Sequence, residues 1–442
     1  MGPEMCIRDS AYGVRDYIKY EALTDSLRWD IKDFINWVAS DDDRTKFKNL
    51  IAQSGGDPND YPKNTQEMVF YPTNKIRVNV NKENVLNSGI VSMKDSDKIV
   101  SHIDIDLPKT GITKNQLLML DILSNNDWKR PIYFTGGSYD ESEYIWMKEY
   151  LQLDGLVYKL VPIKTPLSKN NPYLLGRIDS ELMYGIVKQW SWGNSNDENI
   201  YHDPETRKNS ISFRSNMARL AEKLIEEGKD SKAKEIIDLA LEKMPLDKFG
   251  YYSLLVPFID SYYKISEIKL AQKLTSEVSE KYSDRLNYFS SLKTDFQYGM
   301  GEEIVTEIER YRTLIESIIV NSDKEILELE IDKFISSIQP FIFLYGEYDY
   351  YTALIDVIDG YYISDSNKKA ENISLKVLDA YKKRLNIFIN LSTDNKIKYA
   401  NQIKDEILNF RYFVELILIN ADDGFADKIE LEYNSIIDQF KK

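Results

Sequence analysis

The chain has 442 residues, of which 43% are hydrophobic and 29% charged, and its formal net charge is −15. That length fits two to three domains, and that balance belongs to a folded chain, not a disordered one. An acidic surface with no compensating basic face argues against nucleic acid and anionic membrane surfaces as partners.

No stretch reaches the roughly 18–20 apolar residues that a membrane helix needs. The apolar runs 341–345 and 413–419 are short and interrupted, and no signal peptide opens the chain, so it reads as soluble and without an address. Residues 1–10 do not match the rest of the chain. Met5-Cys6-Ile7-Arg8-Asp9-Ser10 resembles the translation of a transposase sequencing adapter and is set apart from fold reasoning. Cys6, the only cysteine, is then not native, which removes disulfides and thiol catalysis. The expectation is a gene cut at its front, with the native chain extending upstream of Ala11.

Residues 11–192 read as a mixed α/β domain. Asp30 can cap a helix whose apolar residues recur through Val38. Residues 53–62 are rich in Gly, Asp, Asn and Pro and form a loop. Lys75-Ile76-Arg77-Val78-Asn79-Val80 alternates as a half-buried strand, and so does 98–107 through Ile103, Ile105 and Leu107. Residues 115–123 predict a helix, 130–135 a short strand, 143–151 a helix and 156–163 a second strand. Strand, helix, strand in that order predicts a βαβ crossover and a small, partly parallel sheet.

The polar segment 193–209 is the expected linker, and 210–442 is helical almost throughout. Its first helix pair follows the tetratricopeptide template. Met217, Leu220, Ala221 and Leu224 form one helix face, Gly228 the turn, Ala233, Ile237 and Ala240 the opposing face, and Pro245 the stop. A looser copy runs through Tyr262, Ser266 and Ala271. Later helices, at 304–320 and 326–345, keep only the period. The fold class expected is therefore α+β, mostly α: a mixed segment followed by a tetratricopeptide-like solenoid. Its 31 tyrosines suit helix seams with wet edges.

Little chemistry is apparent. Only His102 and His202 exist and no cysteine pair does, so no zinc site is expected. Asp104-x-Asp106 and Asp95-x-Asp97 have the spacing of a metal-holding pair, but Asp104 and Asp106 fall on the polar face of a strand. Gly136-Gly137-Ser138, between a strand and a helix, could hold a phosphate, yet Asp140, Glu141 and Glu143 would repel one. Lys129 and Arg130 could bind an anion or simply finish a helix. Trp190 and Trp192 could stack on a sugar or plug a hinge. The binding candidates are Trp128, Lys129, Arg130, Tyr133, Thr135, Gly136 and Gly137. No catalytic residue, metal ligand or cofactor is expected.

Four motifs also carry a family resemblance: residues 126–134 (Asn126-Asp127-Trp128-Lys129-Arg130-Pro131-Ile132-Tyr133-Phe134), the run 152–156, Val161-Pro162-Ile163-Lys164, and Arg214 through Gly228. Together they resemble the C-terminal soluble part of a Bacteroidetes family of multi-spanning membrane proteins related to protein O-mannosyltransferase-like glycosyltransferases. The resemblance implies a lipid-linked sugar donor, a protein acceptor, and a catalytic acid in a membrane domain that this chain lacks. It implies a periplasmic location, with the helical groove binding the acceptor or an assembly partner and the rest packing on the missing membrane domain. Two alternatives stand beside it: a free-standing helical adaptor, and a carbohydrate-active or carbohydrate-binding α/β module.

Overall fold

Asp30 caps the first helix: its carboxylate accepts the backbone N–H of Lys32 at 2.8 Å, and α1 (Ile31–Ala39) buries Ile31, Phe34, Ile35 and Val38. The computed structural model describes residues 17–20, 27–40, 42–71, 73–109, 111–135, 145–169 and 174–440. Residues 1–10, and Gly136, Gly137, Ser138, Asp140, Glu141 and Glu143, lie outside the described residues. The chain divides into two units, 1–191 and 192–442.

The described residues of the first unit form three small sheets. In one, β1 (Tyr17–Tyr20) pairs in parallel with β3 (Phe70–Tyr71) and antiparallel with β6 (Ile112–Thr113). In the second, β2 (Trp29–Asp30) runs parallel to β4 (Lys75–Asn79), which pairs antiparallel with β5 (His102–Asp106). The predicted alternation holds here: Ile76, Val78, Ile103 and Ile105 point into the core, and Arg77 lies opposite Asp104 on the outer face. Helix α2 (Lys114–Asn126), with a Thr113–Gln116 capping box, adds Leu117, Leu120 and Leu123 to the same core.

The βαβ crossover does not form. β7 (Tyr133–Thr135), β8 (Leu151–Asp154) and β9 (Val157–Leu160) make an antiparallel sheet in the order β7-β9-β8. The predicted helix at 143–151 is, in its described part, a short 3₁₀ turn (Ile145–Tyr150) with a non-helical Met147 at φ −125°. Leu151 already belongs to a strand. Gly155, at φ +69°, opens a two-residue hairpin loop. A Cβ there would stand 3.0 Å from Ile186 Cγ2 and 3.2 Å from Trp190 Cζ2. The parallel pairings occur in the other two sheets. The unit ends with α3 (Ser180–Lys188), capped by Asp179.

The second unit is helical throughout its described elements. α4 (Pro204–Glu226) and α5 (Asp230–Lys243) form the first hairpin, and Met217, Leu220, Ala221, Leu224, Ala233, Ile237 and Ala240 are all fully buried. Gly228 turns the chain at φ +71°. Then come α6 (Val256–Lys264), α7 (Ile268–Ser291), α8 (Thr294–Gly299), α9 (Gly301–Val320) and α10 (Leu327–Ile338). The helix expected over 326–345 stops at Ile338, because Pro340 lacks an N–H to continue it, and a 3₁₀ turn follows. The chain closes with α11 (Ile355–Ile363), α12 (Asn367–Ile389), α13 (Thr393–Lys398), α14 (Ala400–Asn420) and α15 (Asp423–Phe440).

Helices α6–α10 and α11–α15 are one module used twice, with two short helices, Ile342–Tyr345 and Glu347–Thr352, between the copies. Residues 259–321 align without a gap on 358–420, pairing Tyr262 with Tyr361, Val278 with Val377, Tyr282 with Tyr381, Arg285 with Arg384, Leu286 with Leu385, Phe289 with Phe388, Glu307 with Glu406 and Asn321 with Asn420. The packing repeats with the sequence: α6–α7, α7–α9, α7–α10 and α9–α10 meet in the first copy, and α11–α12, α12–α14, α12–α15 and α14–α15 in the second. Polar contacts repeat too. Tyr262 donates to Asp238 of α5 at 2.5 Å, and Tyr361 to Asp332 of α10 at 2.7 Å, so each module docks on the helix before it. Asn321 reaches Asp260 at 3.1 Å, and Asn420 reaches Asp359 at 3.3 Å.

Candidate functional site

The candidate residues around α2 and β7 divide into two groups. After α2 the backbone turns through two left-handed residues, Asp127 (φ 48°) and Trp128 (φ 58°). Asn84 holds this turn by donating to the Asp127 carbonyl at 2.8 Å, and Ser88 by donating to the Trp128 carbonyl at 3.1 Å. The turn drives the Trp128 indole into the core, where its Nε1–H donates to the Asn79 carbonyl at 2.8 Å. Trp128 and Arg130 border a void of only about 10 Å³ beside Val78 and Leu123, which is the lower limit for a single water. Lys129 is exposed, with its ammonium 3.5 Å from Asp127.

Tyr133 and Thr135 lie on the outer face of β7, on either side of the buried Phe134. The Tyr133 ring lines a separate cleft of about 120 Å³ with Asn115, Gln116, Met119 and Ile122 of α2. Partial burial, and then the Asp154 carboxylate, raise the Tyr133 hydroxyl above the usual tyrosine range. Ligand pockets usually measure roughly 300–1,000 Å³, so this cleft can take a small group but not a nucleotide. Trp128 and Tyr133 thus border different spaces.

The two tryptophans near the unit boundary also separate. Trp190 packs against Gly155 in the first unit, and Trp192 against Phe213 in the second, at 5.4 Å between rings.

Asp104 and Asp106 both bind arginine. Arg77 grips Asp104 with two bonds of 2.7 and 2.9 Å, and Arg28 reaches Asp106 at 2.9 Å. These cations, led by the Arg77 bond, hold the Asp104 carboxyl below its usual range against partial burial. Among the described residues no cluster of three potential metal ligands forms.

Sequence reasoning missed a buried ionic chain. Lys159 and Asp154 pair at 2.8 Å, each side chain only 4% exposed. Gln152 donates to Asp154 at 2.8 Å, Arg177 to Gln152 at 3.1 Å and to Asp95 at 2.6 Å, and Lys98 to Asp95 at 2.7 Å. The chain ties the β8–β9 hairpin to the 93–98 turn and to the strand-like residue Arg177. Its members are far apart in sequence, so no local spacing signals it.

The second unit presents a different surface. Its duplicated modules expose large apolar side chains at matching positions. Tyr288 and Ile387 are 60% and 59% exposed, Tyr298 and Ile397 61% and 71%, and Val320 and Ile419 81% and 80%. Aligning the chain with itself reveals the matched positions, though not their exposure.

The two units define a protein with a small α+β domain followed in sequence by a duplicated helical array. Residues 4–182, which span the three sheets and the Trp128–Thr135 segment, match the family described as TMEM260-associated domain 2. Comparison with the curated proteins returns no match, and neither does comparison with the solved structures.

Proposed function

We propose that this chain is the extramembrane region of a membrane-anchored glycosyltransferase-like protein, and that its helical array holds the protein acceptor or an assembly partner. The match of residues 4–182 to a TMEM260-associated domain carries the first half of this reading. It agrees with the resemblance of the Trp128–Phe134 and Arg214–Gly228 motifs to the O-mannosyltransferase-like family. Among the described residues no helix is long and apolar enough to cross a membrane, so anchorage would come from a further domain. Chemistry would come from there too: among the described residues, the surface around Lys129, Arg130, Tyr133 and Thr135 offers binding groups but no paired acid and base.

The repeated exposure of Tyr288 and Ile387, Tyr298 and Ile397, and Val320 and Ile419 supports the second half. An apolar side chain left in water at one position is ordinary; the same exposure kept in both copies fits a covering partner. The partner would lie periplasmically in a Bacteroidetes cell. The test is the complete gene from its source. A multi-spanning hydrophobic domain encoded upstream of Ala11 is the expected result, and an intact reading frame with no such domain would overturn the proposal.

A further inference from the structure

Where the first of the two modules meets α4 there is a pocket of about 380 Å³, lined by three arginines: Arg207 from α4, Arg285 from α7 and Arg310 from α9. Glu307, 2% exposed, lies in the wall. Arg310 is 2.8 Å and Arg285 3.7 Å from its carboxylate, and Arg285 also meets Glu303 at 2.5 Å. Three positive and two negative charges leave one positive charge in surplus, on a chain whose net charge is −15. Two buried donors there have no partner: the Nε of Arg207, and the hydroxyl of Tyr282, a residue only 1% exposed. A buried donor without an acceptor costs on the order of 1–3 kcal/mol, so both favour an acceptor brought by a ligand. Tyr251, in the left-handed region at φ 50°, forms part of the rim.

The second module serves as an internal control. Glu406, Arg384 and Tyr381 repeat Glu307, Arg285 and Tyr282, but Asn409 stands where the first module has Arg310. There the acid is satisfied from within. The Tyr348 hydroxyl donates to Glu406, Arg384 lies 3.4 Å from the same carboxylate, and the Tyr348 ring packs on Arg384 and on Tyr381. The surplus charge and the unpartnered Tyr282 hydroxyl belong to the pocket beside the first module, and Arg207 is added to it from α4.

We propose that this pocket binds a carboxylate of single negative charge. A guanidinium fork matches a carboxylate with two parallel bonds, and the Tyr282 hydroxyl supplies a further donor. Glu307 in the wall penalises a second negative charge, which selects against a phosphate dianion. The volume holds the carboxylate together with about one sugar ring or one to two amino-acid residues. Two sources share this chemistry, a peptide terminus and an acidic sugar. The assignment goes beyond the holding role proposed for the array, and losing it would leave the exposed module corners untouched.

The test is titration calorimetry on the full chain with five probes: N-acetyl-alanyl-alanine, its C-terminal amide, glucuronic acid, glucose and inorganic phosphate. Either acid binding at least tenfold tighter than its neutral counterpart, and tighter than phosphate, supports the assignment. The better of the two acids names the source. No binding by either acid, or equal binding by acid and neutral counterpart, or phosphate binding more tightly, overturns it. Arg207→Gln and Arg310→Gln, each checked for unchanged circular dichroism, should weaken binding about tenfold, and Arg384→Gln in the second module should not. Unchanged affinity in Arg207→Gln, or an equal loss in Arg384→Gln, also overturns the assignment.

Discussion

At Asp95 two effects oppose each other. Burial raises its carboxyl pKa, while the bonds from Lys98 and Arg177 lower it, and the bonds prevail. A folded value below the unfolded one contributes stability that is full above the ordinary carboxylate value and is lost as pH falls through the folded value. Asp95→Asn should therefore cost about 3 kcal/mol at pH 7, because it leaves Arg177 half-paired in the ionic chain. The difference from the parent should shrink below about pH 4, where the parent loses the same charge. Urea unfolding at pH 7 and pH 3 checks both statements; an equal gap at the two values would contradict them. Spacing in the sequence offers Asp95-x-Asp97 only as a metal-like pair that is then set aside; the partner that explains Asp95, Arg177, is far along the chain. Trp128 behaves similarly: its place in a conspicuous motif was legible, but its burial depends on a carbonyl at Asn79.

Elements governed by local periodicity were the most legible. The alternation of β4 and β5, the Asp30 cap and the α4–α5 hairpin follow from spacings within a dozen residues. The β8–β9 hairpin is less legible: Leu151-Gln152-Leu153-Asp154 alternates apolar and polar, but the helical spacing over 143–151 competes for its first residue, and its polar residues are buried in the ionic chain instead of facing water. The module repeat was missed for another reason. Its identities are spread thinly over helices, and the tetratricopeptide template looks for a shorter unit than the one duplicated here. Gly360 shows how tightly the modules join. A Cβ there would lie 2.6 Å from Ile331 Cδ1 on α10 and 3.0 Å from Ile319 Cγ1 on α9. The first copy has Ser261 at this place, buried and donating to the Pro257 carbonyl at 2.7 Å. Gly360→Val should destabilise the second module by about 1–3 kcal/mol through overpacking, with earlier hydrogen exchange in α11–α15 than in α4–α5. Uniform exchange across the array would contradict a junction at this glycine.

For the whole molecule, the α+β, mostly α character was readable from composition and period. The surface that the array offers was not, because exposure is a property of packed helices. Two modules with the same apolar corners place equivalent residues at two stations along one array, a geometry suited to one extended partner touching both. Site-specific photo-crosslinking in the source cells tests this most directly, with the reactive residue placed at Tyr298, at Ile397, and at the exposed polar Glu430 as a control. The account predicts that the same protein is captured from Tyr298 and from Ile397 and not from Glu430; capture of unrelated species from the two stations, or of nothing beyond the control, would contradict it.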